Sequence, residues 1–518
     1  MRCAVFAVLV AAAPQGMPDR GGEVLYNGIR LPSPWPPRDA DLLKDLPTPH
    51  SLVSPPEVIP IDLGRQLFVD DFLVAETTLR RTYHLAKYHP ANPVLKPDRP
   101  WEGEMAMAFS DGAWWDPKDK LFKIWYMAGP ERATCTATSE DGLRWNKPAL
   151  DSVKPGTNIV HTGHRDSSTV WLDQEGKDPS RRFKMFRSVP AASPLRHSWI
   201  LETYFSADGL RWTAEPLLTG FIGDRTTVFW NPFRKVWVYS IRLGLGDTRQ
   251  RRYWEMTEAA AGPQWSSLGE PPLWVGSDSL DPVRKDLKVR CQLYNLDAIA
   301  YESILLGLFT IWRGQPADRH KPNEVCLGYS RDGWSWTRPD RRAFCPVSDR
   351  QGDWNANNVQ SVAGGCLIVG DELWFYVSGR AGVPGSSAAG VCTTGLATLR
   401  RDGFASMDGD GTLTTRPVRF SGKRLFVNLQ GELRADVLNE RGEVLARSET
   451  VAGDRTSLGV PLDLAGLAGK PVRFRFHLKG GKLYSFWVAA DDSGASRGYV
   501  AAGGPGFTGP TDTVGRSR

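Results

Sequence analysis

Apolar and polar positions along this chain fall into short alternating runs broken by polar turns. Five segments share one layout of strand, polar turn, strand. They are AWWDPKDKLFKIWYM (113–127), VWLDQEGKDPSRRFKMFRSV (170–189), VFWNPFRKVWVYSIR (228–242), AIAYESILLGLFTIW (298–312) and CLIVGDELWFYVSG (366–379). Runs of this length, rich in β-branched and aromatic residues and closed by Asp, Asn, Pro or Gly, predict strands and hairpins. A second repeat overlays the first. Ser-x-Asp-Gly-x-x-Trp occurs as SEDGLRW (Ser139 to Trp145), SADGLRW (Ser206 to Trp212) and SRDGWSW (Ser330 to Trp336). The first two tryptophans are 67 residues apart and the third lies 124 further on, two periods of 62. In this motif Asp-Gly supplies the positive φ of a tight turn, and the Ser and Asp side chains staple it. The motif is scaffold rather than chemistry.

Five units of about 60 residues, each with four strand-sized runs, predict an all-β five-bladed β-propeller over residues 62–407. After residue 407 the period changes. RPVRFSG, KRLFVNLQ, ELRADVLNERGEVLARSE and KPVRFRFHLKGGKLYSFWV alternate apolar and polar positions around Gly-containing turns and predict a small β-sandwich over 408–490. Residues 491–518, rich in Gly, Ser and Thr, read as a flexible tail. At the other end, residues 17–61 read as an extended leader dense in proline. Residues 1–16 carry one Arg, an apolar run too short to span a bilayer and then small residues, the layout of a cleavable export signal. The expected location is therefore secreted or periplasmic, with no membrane span.

Composition narrows the function classes. Charged residues make up 24% of the chain and the formal charge is only +6, with no long basic run, so nucleic acid is not an expected partner. Of seven cysteines, Cys135 and Cys326 both stand four residues before the Ser of the repeated motif. Equivalent positions in different blades lie far apart, so these are core residues and no disulfide framework is expected. His161 and His164 (HTGH) have no Cys or His partner group and read as loop residues. No phosphate-cradling glycine loop and no Gly-x-Ser-x-Gly elbow is present.

Candidate chemistry comes from acids near the starts of the blades' first strands, which line the central channel of a propeller. Asp166 and Asp224 each precede the turn residue of their blade (Asp173 and Asn231) by seven positions, so their side chains share a face. Asp111 precedes Asp116 by five, the same parity, and Glu104 by twelve, the opposite parity. Blade four offers Asp297 and Glu302; blade five offers the amides Asn358 and Gln360. Arg165 and Arg225 flank the two aspartates, and Trp354 is a candidate platform for a sugar face. Several carboxylates around one funnel are what glycosidic bond hydrolysis uses: one protonates the leaving oxygen, another acts as nucleophile or activates water. The expected partner is a carbohydrate. No cofactor is expected, and a structural Ca²⁺ in the channel stays open.

With these residues in view, the chain resembles the five-bladed propeller glycoside hydrolases that include invertases and levanases (family 32) and arabinanases and xylosidases (family 43). Family 32 also carries a C-terminal β-sandwich, and its second-blade Arg-Asp-Pro motif is similar to Arg165-Asp166-Ser167. The resemblance implies that Asp166 stabilises the transition state, Asp224 donates the proton, and Asp111 or Glu104 is nucleophile or base. The chain departs from the pattern at three points. The first-blade Asn-Asp-Pro-Asn-Gly signature is missing, Ser167 replaces the proline, and the third-blade acid is Asp rather than Glu followed by Cys. Two other readings of the same residues are a non-catalytic carbohydrate-binding propeller and a sialidase-type propeller. The sialidase type would need an arginine triad and a Tyr nucleophile, and the five-unit count and the sandwich argue against it.

Overall fold

The computed structural model describes residues 17, 20–38, 45–191, 199–242, 248–259, 265 and 270–515; the expected export signal (1–16) lies outside them. Five separate antiparallel sheets follow one another along the chain, with an eight-stranded sheet beside them. The five sheets are the blades of a β-propeller. Their innermost strands are Ala113–Asp116, Ser168–Leu172, Thr227–Asn231, Gln292–Glu302 and Asn358–Val362. In blades one and five this strand is interrupted. Ala106–Met107 and Ala113–Asp116 both pair with Leu121–Ala128, and Asn358–Val362 and Leu367–Val369 both pair with Glu372–Arg380. The break in blade one leaves Phe109, Ser110 and Asp111 free of the ladder, at the axis.

The repeated turns are built as expected, and they also latch one blade to the next. In each, the Ser hydroxyl accepts from the Gly N–H (Gly142 2.8 Å, Gly209 2.9 Å, Gly333 2.9 Å). The Asp carboxylate accepts from the two following N–H groups, for example Leu143 and Arg144 at 2.8 Å. Each turn carbonyl then takes a hydrogen bond from an aromatic side chain of the preceding blade. Trp125 Nε1 donates to Gly209 O (2.9 Å), Tyr376 Oη to Gly142 O (2.6 Å) and Trp274 Nε1 to Trp334 O (2.8 Å). Gly209 has φ +78°, and a Cβ there would lie 2.6 Å from the Trp125 ring. The glycine is required twice, for the left-handed backbone and for the contact.

The ring closes with an N-terminal strand. Lys87–Tyr88 pairs with Cys392–Arg400 as the outer strand of blade five. The chain before it is not part of the propeller, contrary to a boundary at residue 62: Gln66–Leu67, Val74–Thr77 and Arg80–Tyr83 pair with strands of the sandwich. An amphipathic strand reads the same whichever sheet receives it. The sandwich itself is one sheet folded over. Phe476 and Phe486 belong to a single strand, Arg473–Ala489, and ten residues of extended chain span about 33 Å. Yet their ring centroids are 5.2 Å apart. The strand turns back at Gly480-Gly481, where it crosses Gly431 of the neighbouring strand so closely that a Cβ on Gly481 would meet Gln430 O at 2.2 Å.

The C-terminal segment is not a loose tail. Tyr499–Val500 pairs with Tyr301–Glu302 at the far end of blade four's inner strand. Trp115 N donates to Ala502 O and Ala502 N to Cys366 O, both at 2.9 Å, and Ile368 N donates to Gly503 O at 2.8 Å. The segment thus stitches blades one, four and five together at the end of the axis opposite the strand starts. Low sequence complexity here reflects close backbone approach: a Cβ on Gly504 would stand 1.7 Å from Ile368 O.

Beside this floor lies a buried charged network that joins the leader, propeller, sandwich and C-terminal segment. Glu302 accepts from Arg65 N (3.1 Å), Arg401 Nη2 (3.1 Å) and Ser496 Oγ (2.7 Å). Arg65 Nη1 also reaches Asp402 (3.0 Å), which accepts from Ser485 Oγ (2.7 Å) and Asn428 Nδ2 (3.1 Å) of the sandwich. Arg401 Nη2 is 3.3 Å from Asp512. The expectation that Glu302 binds substrate therefore fails, because it stands at the wrong end of its strand with every direction occupied. Glu302→Gln would remove the carboxylate that Arg65 and Arg401 share, leaving each guanidinium with one partner, Asp402 and Asp512. It is expected to lower stability by about 1–3 kcal/mol through the weakened charge-assisted hydrogen bonds, read as the urea unfolding free energy, with ligand binding at the opposite face unchanged.

Candidate active site

The strand starts of the five blades surround one mouth of the axis. Backbone hydrogen bonds draw blades two and three together there: Asp224 O accepts from Ser167 N (3.2 Å) and from Ser167 Oγ (3.0 Å). Asp166 and Asp224 thus start neighbouring strands, tied together through the Ser167 N–H on Asp224 O. Both carboxylates reach solvent, with 19% and 30% of the side chain exposed. Asp166 lies between two guanidinium groups, Arg132 Nη1 at 3.0 Å and Arg225 Nη1 at 3.5 Å. Asp224 is 3.5 Å from Arg242 Nε.

Beneath them the axis is packed with buried polar groups. Arg225, 1% exposed, lies over the Phe109 ring with its guanidinium carbon 3.4 Å from the centroid, and donates to Ser361 Oγ at 2.6 Å. Asn295 Nδ2 bridges Ser110 Oγ (3.2 Å), Ser361 Oγ (3.2 Å) and Asp297 Oδ2 (2.8 Å). Burial pushes the Asp297 carboxyl up, against the pull of Ser110, Arg225 and Asn295. Asp297 therefore lies at the axis but is buried, accepting from Asn295 Nδ2 and Val362 N in the cluster under Arg225 instead of facing a ligand as the substrate-binding expectation requires. Phe109 (φ +52°) and Ser361 (φ +64°), the two residues that grip Arg225, are both in the left-handed region that non-glycine residues avoid. Such strain persists only where surrounding structure enforces it.

Several expected site residues are structural. Asp111 is sealed from solvent under Arg165, whose Nη2 is 2.8 Å and Nη1 3.2 Å from its carboxylate. It cannot serve as the blade-one nucleophile in this arrangement; it positions Arg165, which in turn bonds to Asp166 O at 3.1 Å. Glu104 is exposed at the rim, where its carbonyl accepts from Cys392 N. Asn358 donates to Lys321 O (2.9 Å) and Gln360 accepts from Asn323 (3.0 Å), so both buried amides join blades four and five instead of facing a ligand. Trp354 lies across Gly379 and Gly395, where a Cβ would approach its ring to 2.2 Å, and edges onto Tyr88. It is blade packing, as most indoles in such a chain are.

Sequence reasoning missed Arg132, Arg242, Arg249 and Arg251. A signal was present: an arginine recurs near the end of the second strand of four blades, at Arg187, Arg242, Arg313 and Arg380. At the axis the Arg225 guanidinium stands 3.5 Å from Asp166 and acts electrostatically on Asp297. Among the described residues no group of three or more His, Cys, Asp or Glu comes together to hold a metal. The six described cysteines are buried and unpaired, as core residues would be. Next to the mouth, between blades four and five, opens a cavity of about 600 Å³ lined by Arg284, Arg319, Asp349, Asn357 and Val383, among others.

No family model and no curated protein matches this chain. Solved structures similar to it include an N-acetylgalactosamine deacetylase from F. plautii in complex with blood group B trisaccharide, at 12% identity and a TM-score of 0.40; the match covers 60% of this chain and 97% of that one. An exo-β-1,3-galactanase from Phanerochaete chrysosporium matches at 10% identity and a TM-score of 0.36, over 76% and 99% of the two chains. A β-fructofuranosidase from Schwanniomyces occidentalis matches at 11% identity and 0.35, over 78% and 96%.

The Asp111–Arg165 pair makes a pH prediction. Burial raises the Asp111 carboxyl to about 6, against the opposing pull of Arg165 and Ser168. A carboxyl raised on folding stabilises the fold while protonated, and loses that contribution as pH rises from its unfolded value near 3.8 through about 6. The stability difference between wild type and Asp111→Asn, from urea unfolding at a series of pH values, should therefore shift against the wild type across that window and level off above it.

Proposed function

We propose that this protein is an exported glycoside hydrolase that works at the strand-start mouth of its propeller. The observation that supports this most is the Asp166–Asp224 pair: two solvent-reaching carboxylates on adjacent strand starts, joined through the main chain and each beside a guanidinium. Asp224, the more exposed, suits proton donation to the leaving glycosidic oxygen. Asp166, fixed between Arg132 and Arg225, suits stabilisation of the positive charge that develops on the sugar ring. The adjoining cavity is a place for further sugar units of an oligo- or polysaccharide. Among the described residues no helix is long and apolar enough to cross a membrane.

One observation favours a second reading, a carbohydrate-binding propeller without catalysis. Asp111 is sealed under Arg165, so of the two blade-one acids expected at the site only Glu104 is free. The two readings separate on turnover. Against a panel of fructans, arabinans, xylans and galactans, wild type should release sugar. Asp224→Asn and Asp166→Asn should each lower kcat by about 100-fold or more, while melting temperatures stay close to wild type because both side chains are partly exposed. Glycan binding with no release by wild type supports the second reading.

A further inference from the structure

The charges around the mouth do not balance, and the imbalance is concentrated on blades three and four. Arg225, Arg242, Arg249, Arg251 and Lys321 come together there, facing the acids Asp224 and Asp297, while Asp286, Asp318 and Asp349 of the adjoining cavity pair with Arg284 and Arg319. Arg242 is paired with Asp224, and Arg225 with Asp166 of blade two. Arg249 donates to the neutral Gln292 Oε1 (2.7 Å) and lies over the rings of Tyr294 (5.4 Å) and Trp312 (5.1 Å). Lys321 donates to Tyr294 Oη (2.7 Å) and sits over the same ring (4.7 Å). Arg251 is buried and spends its donors on Arg225 O (2.5 Å), Tyr294 O (2.8 Å) and Asn295 Oδ1 (3.0 Å). Among the described residues none of these three cations has an ion-pair partner. The repulsion is felt within the protein: burial and then Arg225 and Arg242 push Arg251 down to about 9, and burial and Arg242 lower Arg249.

Crowding like charges without counter-ions is unfavourable unless something relieves it. Arg249 and Lys321 are only partly buried and share the Tyr294 ring, 5.4 Å and 4.7 Å from its centroid. We infer that the glycan taken by this site is anionic, with a carboxylate or sulfate group of one sugar held by Arg249 and Lys321 beside Tyr294. The inference rests on the glycan-handling reading of the mouth but not on catalysis. The Arg249 guanidinium suits both anions, since each can present two oxygens to its planar fork, and the Lys321 ammonium adds a second charge.

The test measures binding and release separately. Oligogalacturonate (carboxylate), a sulfated galactan and a neutral galactan are titrated calorimetrically into wild type, Arg249→Gln, Lys321→Gln, Arg249→Lys and the distant surface variant Arg441→Gln, each checked by thermal melting. One anionic glycan should bind at least about tenfold more tightly than the neutral one, and the bond should weaken at roughly 0.3 M salt. Arg249→Gln and Lys321→Gln should each weaken it about tenfold, the loss of one charge-assisted contact. Arg249→Lys, which keeps the charge without the planar fork, should lose less than Arg249→Gln, and Arg441→Gln should lose nothing. Which anion binds identifies the group. Equal or tighter binding of the neutral galactan, no binding of either anion, or indifference to the two Gln substitutions overturns the inference. In that case release of sugar from a neutral glycan would leave the hydrolase reading standing. Anionic binding without release would leave the inference standing and remove the hydrolase.

Discussion

Closing five twisted sheets into a ring forces every inner strand to begin at one end of a shared axis and finish at the other. The latches that hold the ring shut are the Asp-Gly turns, whose carbonyls accept from Trp125, Tyr376 and Trp274 of the preceding blades. From this closure the two ends acquire different roles. At the finishing end, Tyr499–Val500 and the residues after it seal the floor, and the Glu302 network fastens the sandwich. At the starting end, blades two and three are pinned together through Ser167 and Asp224, and polar side chains are left facing a common space.

That space is organised by guanidinium groups rather than by carboxylates alone. Arg165 covers Asp111, and Arg225 is held between the Phe109 ring and Ser361 at two positions of left-handed backbone. Asp166 and Asp224 stand at the surface of this cationic layer. Each has a guanidinium beside it, while the basic groups on blades three and four exceed the acids available to them. Pre-organised charge of this kind is useful where charge develops or arrives on a ligand, since it needs no rearrangement at that moment.

Much of this was legible in the sequence because turns and strand registers are local. The Ser-x-Asp-Gly-x-x-Trp spacing counts blades, and parity along a strand placed Asp166 and Asp224 on one face. What failed depended on depth and on partners. Glu302 is five residues beyond Asp297, about 17 Å further along the axis, and sequence parity does not show which end of the strand is the mouth. Asp111 has the right parity, but its pairing with Arg165 is a contact between blades. Trp354 fills the space over Gly379 and Gly395 on two other strands, and the C-terminal segment owes its order to backbone contacts with Trp115, Cys366 and Ile368. None of these leaves a periodic mark in the chain.

The central claim is that the strand-start mouth between Asp166 and Asp224 is where a glycan is processed. A crystal structure of the Asp224→Asn protein soaked with an oligosaccharide of the class it binds tests this most directly. The account predicts a sugar ring seated over Arg225, with the glycosidic oxygen within hydrogen-bonding distance of residue 224 and the ring beside Asp166. A glycan found only on the sandwich, or on the outer faces of the blades with the mouth empty, would contradict it.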